Sequence, residues 1–334
     1  MKHANIPIFI PMQGCLFDCV FCDQHKITGQ EPVMCDDEIL QKIEAHLRTI
    51  APEKTDVQIA FFGGSFTGLP LEQQKHYLGL AGTFLKSKKV KGIRLSTRPD
   101  YINEKVLTVL KQYGVNTIEL GVQSMDDSVL LQAGRGHTAE DVHRAAALIR
   151  SAGFSMVLQM MPGLPGDTFE KTLETTKQII AMGADAVRIY PTLVIKGTKL
   201  EMLYSQKKYK PLSLDEAVDL CSMIVPLFED AGVTILRLGL HPSEGLFHGN
   251  ELVAGPFHTA FGAMVYSRIW YHILNGLQSG IGNKITVTVH PKELNHAIGY
   301  RKTNRMMLLD RFESVQFRTD NTLLSREFIL GINR

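Results

Sequence analysis

Val57 to Ser96 reads VQIAFFGGSFTGLPLEQQKHYLGLAGTFLKSKKVKGIRLS, and the reading of this stretch decides the fold. It opens with an apolar run, VQIAFF (57–62), and turns on Gly63, Gly64 and Ser65. Apolar residues at helical spacing follow from Leu71 to Leu85, and a second apolar run, GIRLS (92–96), closes it. Two short buried-type runs joined by an amphipathic helix make a βαβ unit, because the helix returns the chain across the sheet and leaves the two strands parallel. The unit repeats on both sides. IPIFI (6–10) precedes it, and TIELGV (117–122), SMVLQM (155–160) and AVRIYP (186–191) follow. Helical periodicity fills the intervals at Asp36 to Ile50, Asn103 to Tyr113, Thr138 to Ala152, Thr168 to Met182 and Ser213 to Ala231, with Asn103, Thr138 and Ser213 as capping residues. The class is α/β, and the period is that of a (β/α) barrel or of an open doubly wound sheet.

A seventh short run, VTILRLG (233–239), comes before a glycine- and histidine-rich stretch, HPSEGLFHGNELVAGPFHTAFG (241–262), that breaks the alternation. The boundary is therefore expected there, with residues 1–240 as the barrel and 241–334 as a smaller C-terminal α+β module covering the barrel mouth. In that module the pattern predicts a helix from about Met264 to Asn275, a strand at KITVTVHP (284–291), a helix at KELNHAIGY (292–300) and a strand at VQFRTD (315–320).

The 334 residues suffice for one large domain and an appendage. With 36 Lys and Arg against 34 Asp and Glu, the net charge of +2 provides no general pull toward a polyanion, so any such site is local. The short basic runs at Lys86, Lys88, Lys89, Lys91 and at Lys207, Lys208, Lys210 read as solvated helix ends, with a phosphate-backbone footprint as the alternative. The start, MKHANIPIFIPMQG, lacks the basic and apolar regions of an export signal, and no long uninterrupted apolar run occurs. Five cysteines, three of them crowded together, do not form a secreted disulfide framework. The expectation is a cytoplasmic protein that does not enter a membrane.

Those three thiols lie in Cys15-Leu-Phe-Asp-Cys19-Val-Phe-Cys22, directly after the first strand. Thiolates are soft ligands, and CxxxCxxC places three of them on one centre if the backbone curls around it. The functional reading is an iron–sulfur cluster. Three ligands for four irons leave one iron open, unlike an electron carrier closed by four cysteines. A zinc knuckle, with His25 as a possible fourth ligand, and a chance group of buried thiols are the competing readings. Cys35 and Cys221 read as isolated small hydrophobes.

The CxxxCxxC loop after a first strand, with Phe21 just before the last cysteine, resembles the radical S-adenosylmethionine (SAM) superfamily. FFGGSFTGLP (61–70), STRPDYI (96–102), ELGVQSMDDSVL (119–130), GRGHT (134–138), MMPGLPGDT (160–168) and IYPTLVIKGTKL (189–200) resemble the radical SAM half of the Elongator catalytic subunit, over roughly residues 4–260. The oxygen-independent coproporphyrinogen oxidases are more distant in this resemblance. It implies a partial (β/α)6 barrel, a 4Fe-4S cluster on Cys15, Cys19 and Cys22 whose open iron chelates SAM, and reductive cleavage to methionine and a 5′-deoxyadenosyl radical. It further implies that Gly63, Gly64 and Ser65 hold the SAM amino group, that Gln123 and Arg135 contact its ribose and carboxylate, and that Phe9 and Phe21 stand near the adenine and cluster. Ser96 and Gln159 occupy positions where relatives carry Glu and Asp, so they keep hydrogen-bonding capacity without charge. A reductase such as flavodoxin or ferredoxin is the implied partner; the substrate stays open, with a tRNA base suggested by the Elongator-like segments and a small metabolite or peptide as further readings. Tetrapyrrole chemistry is the alternative, as is an RNA-binding module without chemistry, since no acetyltransferase-like half is read here. Tyr190, at the end of the sixth strand, is read as cavity-lining or core. His241, His248 and His258, with Glu244, are read as loop and cavity residues, with second-metal ligation as the alternative.

Overall fold

A computed structural model of the chain describes residues 2–10, 14–23, 35–50, 55–240, 251–277 and 284–333. The chain forms two compact units, Met1–Ser213 with Leu227–Phe257, and Leu214–Pro226 with His258–Arg334.

The first unit is built on seven parallel strands: β1 (Lys2–Phe9), β2 (Thr55–Phe62), β3 (Gly92–Thr97), β4 (Val115–Gln123), β5 (Ser155–Met160), β6 (Ala186–Ile189) and β8 (Thr234–Leu238). They lie side by side in that sequence order, β8 pairing with β6. A doubly wound sheet would reverse its order at a switch point, and this one does not. The arrangement is a curled half-barrel, and the seventh run of the sequence completes its edge. A small antiparallel pair, β7 (Val194–Ile195) with β9 (Leu252–Ala254), lies apart from the large sheet.

Helices α1 (Asp36–Thr49), α2 (Leu71–Lys86), α3 (Glu104–Gln112), α5 (Ala139–Ser151) and α6 (Phe169–Ala181) fill the intervals between strands, within a residue or two of the expected bounds. Asn103 and Thr138 cap their helices as the sequence suggests. The Asn103 side chain accepts from the Val106 N–H, and Thr138 and Asp141 form a reciprocal capping box. Two shorter helices, α4 (Asp127–Gln132) and α7 (Lys199–Ser205), are additions to the expected pattern.

The two faces of the large sheet differ sharply. On one lie Ile59, Phe61, Ile93, Leu95, Ile118, Leu120, Met156, Leu158, Val187 and Ile189, each at most 1% exposed. Strand alternation sends their neighbours to the opposite face. Register aligns those neighbours across the strands: Gln58, Ala60 and Phe62 on β2, Arg94 and Ser96 on β3, Glu119 and Gly121 on β4, Gln159 on β5 and Arg188 on β6. The apolar face is the core, each such side chain contributing about 1.5–3 kcal/mol by burial. The other face is polar, charged and small, and suited to holding a ligand.

The second unit has a three-stranded sheet in the order β11 (Ser314–Thr319), β10 (Lys284–Val289), β12 (Phe328–Asn333), with β10 parallel to β11 and antiparallel to β12. Its core gathers Trp270 and Leu274 of the helix Phe261–Asn275 with Ile285, Val287, Val289, Leu308, Phe312 and Val315. The Trp270 indole N–H donates to Glu293 at 2.7 Å, so the buried ring keeps its polar atom satisfied. The predicted helix at 292–300 is shorter, a 3-10 turn followed by Leu294–Ile298, because Gly299 at φ 91° stops it. β12 and the helix Thr303–Leu309 were not expected.

Candidate functional site

The cysteine loop sits beyond the carboxyl end of β1, where barrels of this class carry their chemistry. Four neighbouring segments hold it. The Val20 N–H donates to the Ala133 carbonyl at 3.0 Å, and the Leu200 N–H donates to the Val20 carbonyl at 2.7 Å. Lys199 pairs with Asp18 at 2.8 Å, and the Leu16 N–H donates to the Tyr101 hydroxyl at 3.2 Å. Gly14 passes so close to the β2 turn that a Cβ there would stand 2.2 Å from the Ser65 carbonyl oxygen. The backbone at this point is therefore restricted to glycine, which also supplies the left-handed φ of 70°.

Cys15, Cys19 and Cys22 are free thiols, the first exposed, the second buried and the third between. Cys15 Sγ lies 3.2 Å from the Ser65 hydroxyl, and Arg135 Nη1–H donates to Cys19 Sγ at 3.3 Å. Among the described residues, no three His, Cys, Asp or Glu side chains are drawn together at metal-ligand distance. Thiol ligands gain nothing from mutual approach until a metal is present, since metal binding and ligand ordering are coupled. The donor set itself, three soft sulfurs on one short glycine-flanked loop, suits an iron–sulfur cluster.

The strand ends beside the loop carry the residues singled out in the sequence. Gly63 takes φ 92° immediately after β2, a conformation that suits glycine, and the turn brings Ser65 to Cys15. The Ser96 hydroxyl lies 3.4 Å from the carbonyls of both Phe61 and Gly64 and ties β3 to that turn. Gln123 has φ 68° at a register shift between Gly121 and Gln123, so a non-glycine side chain is held in the left-handed region where β4 ends. Such strain costs of order 1–3 kcal/mol and concentrates at ligand sites. The Gln159 amide donates to Gln123 Oε1 at 3.2 Å.

Arg135 is 6% exposed, and its Nη2–H donates to the Gly121 carbonyl at 2.6 Å. Its Nε is buried with no hydrogen-bond partner, a donor left for an anion. Gly121 makes room for this arrangement: a Cβ there would stand 2.9 Å from Gln123 Nε2 and 3.2 Å from Arg135 Nη2. Ser65, Ser96, Gln123 and Gln159 thus stand at successive strand ends or the turn after one, and Arg135, just beyond α4, joins the end of β4 to the cysteine loop. The two phenylalanines part company. Phe21 is buried with Cys19, Val129, Ala133, Leu164 and Leu200, as a wall behind the loop. Phe9 lies beside Phe62 at the end of β1, ring centroids 6.4 Å apart, with the Lys42 ammonium 5.6 Å from its ring.

Two further site residues, Arg98 and His137, lie inside STRPDYI and GRGHT, although those segments read no role for either. The Arg98 guanidinium lies 4.6 Å from the Phe17 ring centroid, grips Asp100 with two hydrogen bonds of 3.0 Å, and donates to the Arg135 carbonyl at 2.5 Å. It clamps the cysteine loop to the Arg135 turn. His137 is 4% exposed, with Nε2 3.3 Å from the Val122 carbonyl and Nδ1 without a partner. Burial, reinforced by the charges of Arg135 and Arg98, lowers it to about 3, so the ring is neutral. Its Nε2 therefore carries the proton and donates to that carbonyl.

The largest omission is on the polar face of the sheet. Glu119 receives Arg94 Nη1–H at 2.7 Å, Arg188 Nε–H at 2.8 Å and Arg188 Nη2–H at 3.2 Å. Arg94 also donates to Gln58 at 3.0 Å, and Arg188 to the Tyr190 hydroxyl at 3.3 Å. Burial opposes the charge on Arg188, but Glu119 and Tyr190 outweigh it and hold the guanidinium above its ordinary value. The signal available was an Arg or Glu inside each of three otherwise apolar strand runs.

His241, Glu244, His248 and His25 lie outside the described residues. His258 accepts from the Ala260 N–H at 2.9 Å through Nδ1 and has Nε2 3.5 Å from the Tyr300 hydroxyl. Cys35 caps the helix Asp36–Thr49, and burial pushes the Cys221 thiol up to about 12. Lys208 and Lys210 help line a pocket of about 210 Å³ with Asp167 and Tyr209. Among the described residues, no helix is long and apolar enough to cross a membrane.

Residues 9–179 match the Radical SAM superfamily, and residues 184–271 match the Radical_SAM C-terminal domain. The chain is 28% identical over 251 residues to the tRNA uridine(34) acetyltransferase of Methanocaldococcus infernus, covering 65% of this chain and 47% of that protein. It is 34% identical over 191 residues to Elongator complex protein 3 of Saccharomyces cerevisiae, covering 51% of this chain and 34% of that one. The chain thus spans less than half the length of these relatives. The structure of Methanocaldococcus infernus Elp3 with an N-terminal deletion superposes with a TM-score of 0.65 at 23% identity, over 83% of this chain and 64% of that one, a likeness of fold.

Proposed function

This chain belongs to the Radical SAM superfamily, and from that premise we propose that it cleaves SAM reductively and applies the resulting radical to an organic substrate, a base of tRNA. A 4Fe-4S cluster with one open iron, the superfamily's cofactor together with SAM, supplies when bound the electron that splits the sulfonium into methionine and the 5′-deoxyadenosyl radical.

In this reading Cys15, Cys19 and Cys22 would hold the cluster. The observation that carries the proposal is Arg135. Its guanidinium joins the Cys19 sulfur to the end of β4 and keeps a buried, unpartnered Nε–H, the arrangement needed to receive a carboxylate beside the cluster. The Gly63-Gly64-Ser65 turn offers backbone to the SAM amino group, while Ser96, Gln123 and Gln159 offer neutral hydrogen bonds to the ribose. Phe9 lies beside the adenine, and Phe21 closes the loop from behind and excludes water. Arg98 and His137 act through Arg135, holding the turn that carries it. No charge stands at Ser96 or Gln159, so the ribose is held by geometry more than by charge-assisted bonds. A flavodoxin or ferredoxin reductase provides the electron. The tRNA substrate is supported by the names of the relatives, which share the matched half with this chain.

The test is anaerobic. Reconstituted protein is incubated with dithionite, SAM and bulk tRNA, and nucleosides and 5′-deoxyadenosine are measured by mass spectrometry. The expected result is 5′-deoxyadenosine together with a mass-shifted nucleoside. Absence of 5′-deoxyadenosine from iron-replete protein overturns the radical reading. Its appearance without any change in tRNA overturns the substrate.

A further inference from the structure

The polar face of the half-barrel is cationic beyond what its own acids balance. Arg94, Arg188 and Arg237 stand on β3, β6 and β8, aligned with this face by register, against Glu119 on β4. Asp56, at the foot of β2, has its ion-pair contact with His3 at 3.7 Å and, among the described residues, none with these arginines. Arg237 turns its Nε–H to the Gly239 carbonyl at 3.3 Å. Among the described residues, one carboxylate answers the two guanidiniums, with side-chain exposures of 7% for Arg94, 6% for Glu119 and 16% for Arg188. A buried charge without a counter-charge is costly unless a ligand or solvent answers it.

The accessible end of this ladder is Arg188. Of its five N–H donors, three are taken by Glu119 and Tyr190, and the other two have no hydrogen-bond partner among the described residues. Tyr190 accepts from Arg188 through its oxygen, so its own proton is available to donate. Glu119, gripped from two sides, fixes the guanidinium plane, and preorganisation of this kind favours a planar oxyanion. Arg188 is the register partner of Gln159 on the neighbouring strand, and Gln159 is bonded to Gln123. Adjacent strands lie about 4.8 Å apart. The cationic end therefore stands one strand away from the residues assigned to the SAM ribose, where a substrate awaiting hydrogen abstraction would be held.

We propose that Arg188 and Tyr190 form an oxyanion-binding subsite on the inner face of the half-barrel, and that the substrate carries a phosphate or carboxylate docked there. This rests on the radical SAM reading for its meaning, though not for its measurement. Glu119 and Arg94 are positioning residues in it: Glu119 orients Arg188, and Arg94 anchors Glu119 to Gln58.

The experiment is calorimetric titration of the full chain with three probes: inorganic phosphate, uridine 5′-monophosphate and glutarate. Because Arg135 is itself an anion site, the titrations are made on the Arg135→Gln protein, with and without Arg188→Gln or Tyr190→Phe. Phosphate or the nucleotide is expected to bind with a dissociation constant raised at least about tenfold by Arg188→Gln, which corresponds to about 1.4 kcal/mol. A smaller rise is expected from the isosteric Tyr190→Phe, which keeps the assay informative if Arg188→Gln fails to fold. Preference for the phosphate probes identifies a phosphoester substrate, and preference for glutarate identifies a carboxylate one. Binding of all three probes that is unmoved by either variant, or no binding at all, overturns the subsite. Protein that binds anions through Arg188 yet never yields 5′-deoxyadenosine from SAM keeps the subsite and loses the radical reading.

Discussion

Replacing Glu119 by Gln tests the interior of the half-barrel most directly. The substitution keeps shape and hydrogen-bonding atoms but removes the single negative charge between Arg94 and Arg188, whose nitrogens stand 2.7–3.2 Å from its oxygens. At an effective dielectric constant of 20, each close pair is worth about 4 kcal/mol of Coulomb energy, part of which desolvation has already offset. Removing one partner of a buried pair leaves the other charge stranded, a loss of about 3–5 kcal/mol. Here two guanidiniums are stranded facing each other. With a urea m-value of about 2 kcal/mol/M, the unfolding midpoint should fall by roughly 2 M. Far-UV circular dichroism is the appropriate readout, because the single tryptophan, Trp270, lies in the other unit and reports on that core instead. The double variant Arg94→Met with Glu119→Gln removes one of the stranded charges and should recover roughly half of the loss. A Glu119→Gln protein within about 1 kcal/mol of wild type, or a double variant no more stable than the single, would refute the burial of the two guanidiniums around one carboxylate.

Three further outcomes are expected. Each of Cys15→Ala, Cys19→Ala and Cys22→Ala should abolish the brown iron–sulfur absorbance after anaerobic reconstitution while Cys35→Ser retains it, and retention by any of the three would remove that thiol from the ligand set. His137, lowered to about 3 when folded against 6.5 in the unfolded chain, takes up a proton more readily when unfolded. Its contribution is therefore complete above pH 6.5 and is lost as pH falls toward 3, up to about 5 kcal/mol, so the slope of stability against pH in that window should flatten in His137→Gln, and an unchanged slope counts against a buried neutral ring. Gly121→Ala should weaken SAM binding at least about tenfold in equilibrium dialysis, because its Cβ displaces Gln123 Nε2 and Arg135 Nη2 together. Wild-type SAM affinity in that variant would mean that the two side chains are not needed where they stand.

The fold was largely legible because its determinant is local. A run such as VQIAFF declares a buried parallel strand by composition, the helix after it declares itself by period, and the strand order follows from successive βαβ units placed side by side. The choice between half-barrel and open sheet was not local. It depends on whether the order of strands reverses, which no single unit encodes, and only the pairing of β8 with β6 completes the unreversed order. In the second unit, β12 and the helix Thr303–Leu309 went unread because their stability comes from packing Phe328, Leu330 and Leu308 against Trp270 and Val287 more than from their own periodicity.

The site divides along the same line. Cys15, Cys19, Cys22, Gly63 and Arg135 sit in short motifs whose spacing carries their chemistry, and the loop and strand ends bring them near one another. Arg98 and His137 lie inside STRPDYI and GRGHT, but the role of a clamp or of a buried ring is not carried by spacing; Arg98 acts on the Arg135 carbonyl, and His137 ties the same turn to the Val122 carbonyl. Arg94, Glu119 and Arg188 are separated by 25 and 69 residues, so no window contains them together. Yet GIRLS, TIELGV and AVRIYP each hold one charge within a run that must be buried, and a buried charge requires a partner. Two arginines and one glutamate in three parallel strands can satisfy that requirement only on the face that the helices do not cover. The polar interior of this half-barrel, and with it the place where a substrate can be held, follows from three residues that a purely apolar strand pattern would treat as exceptions.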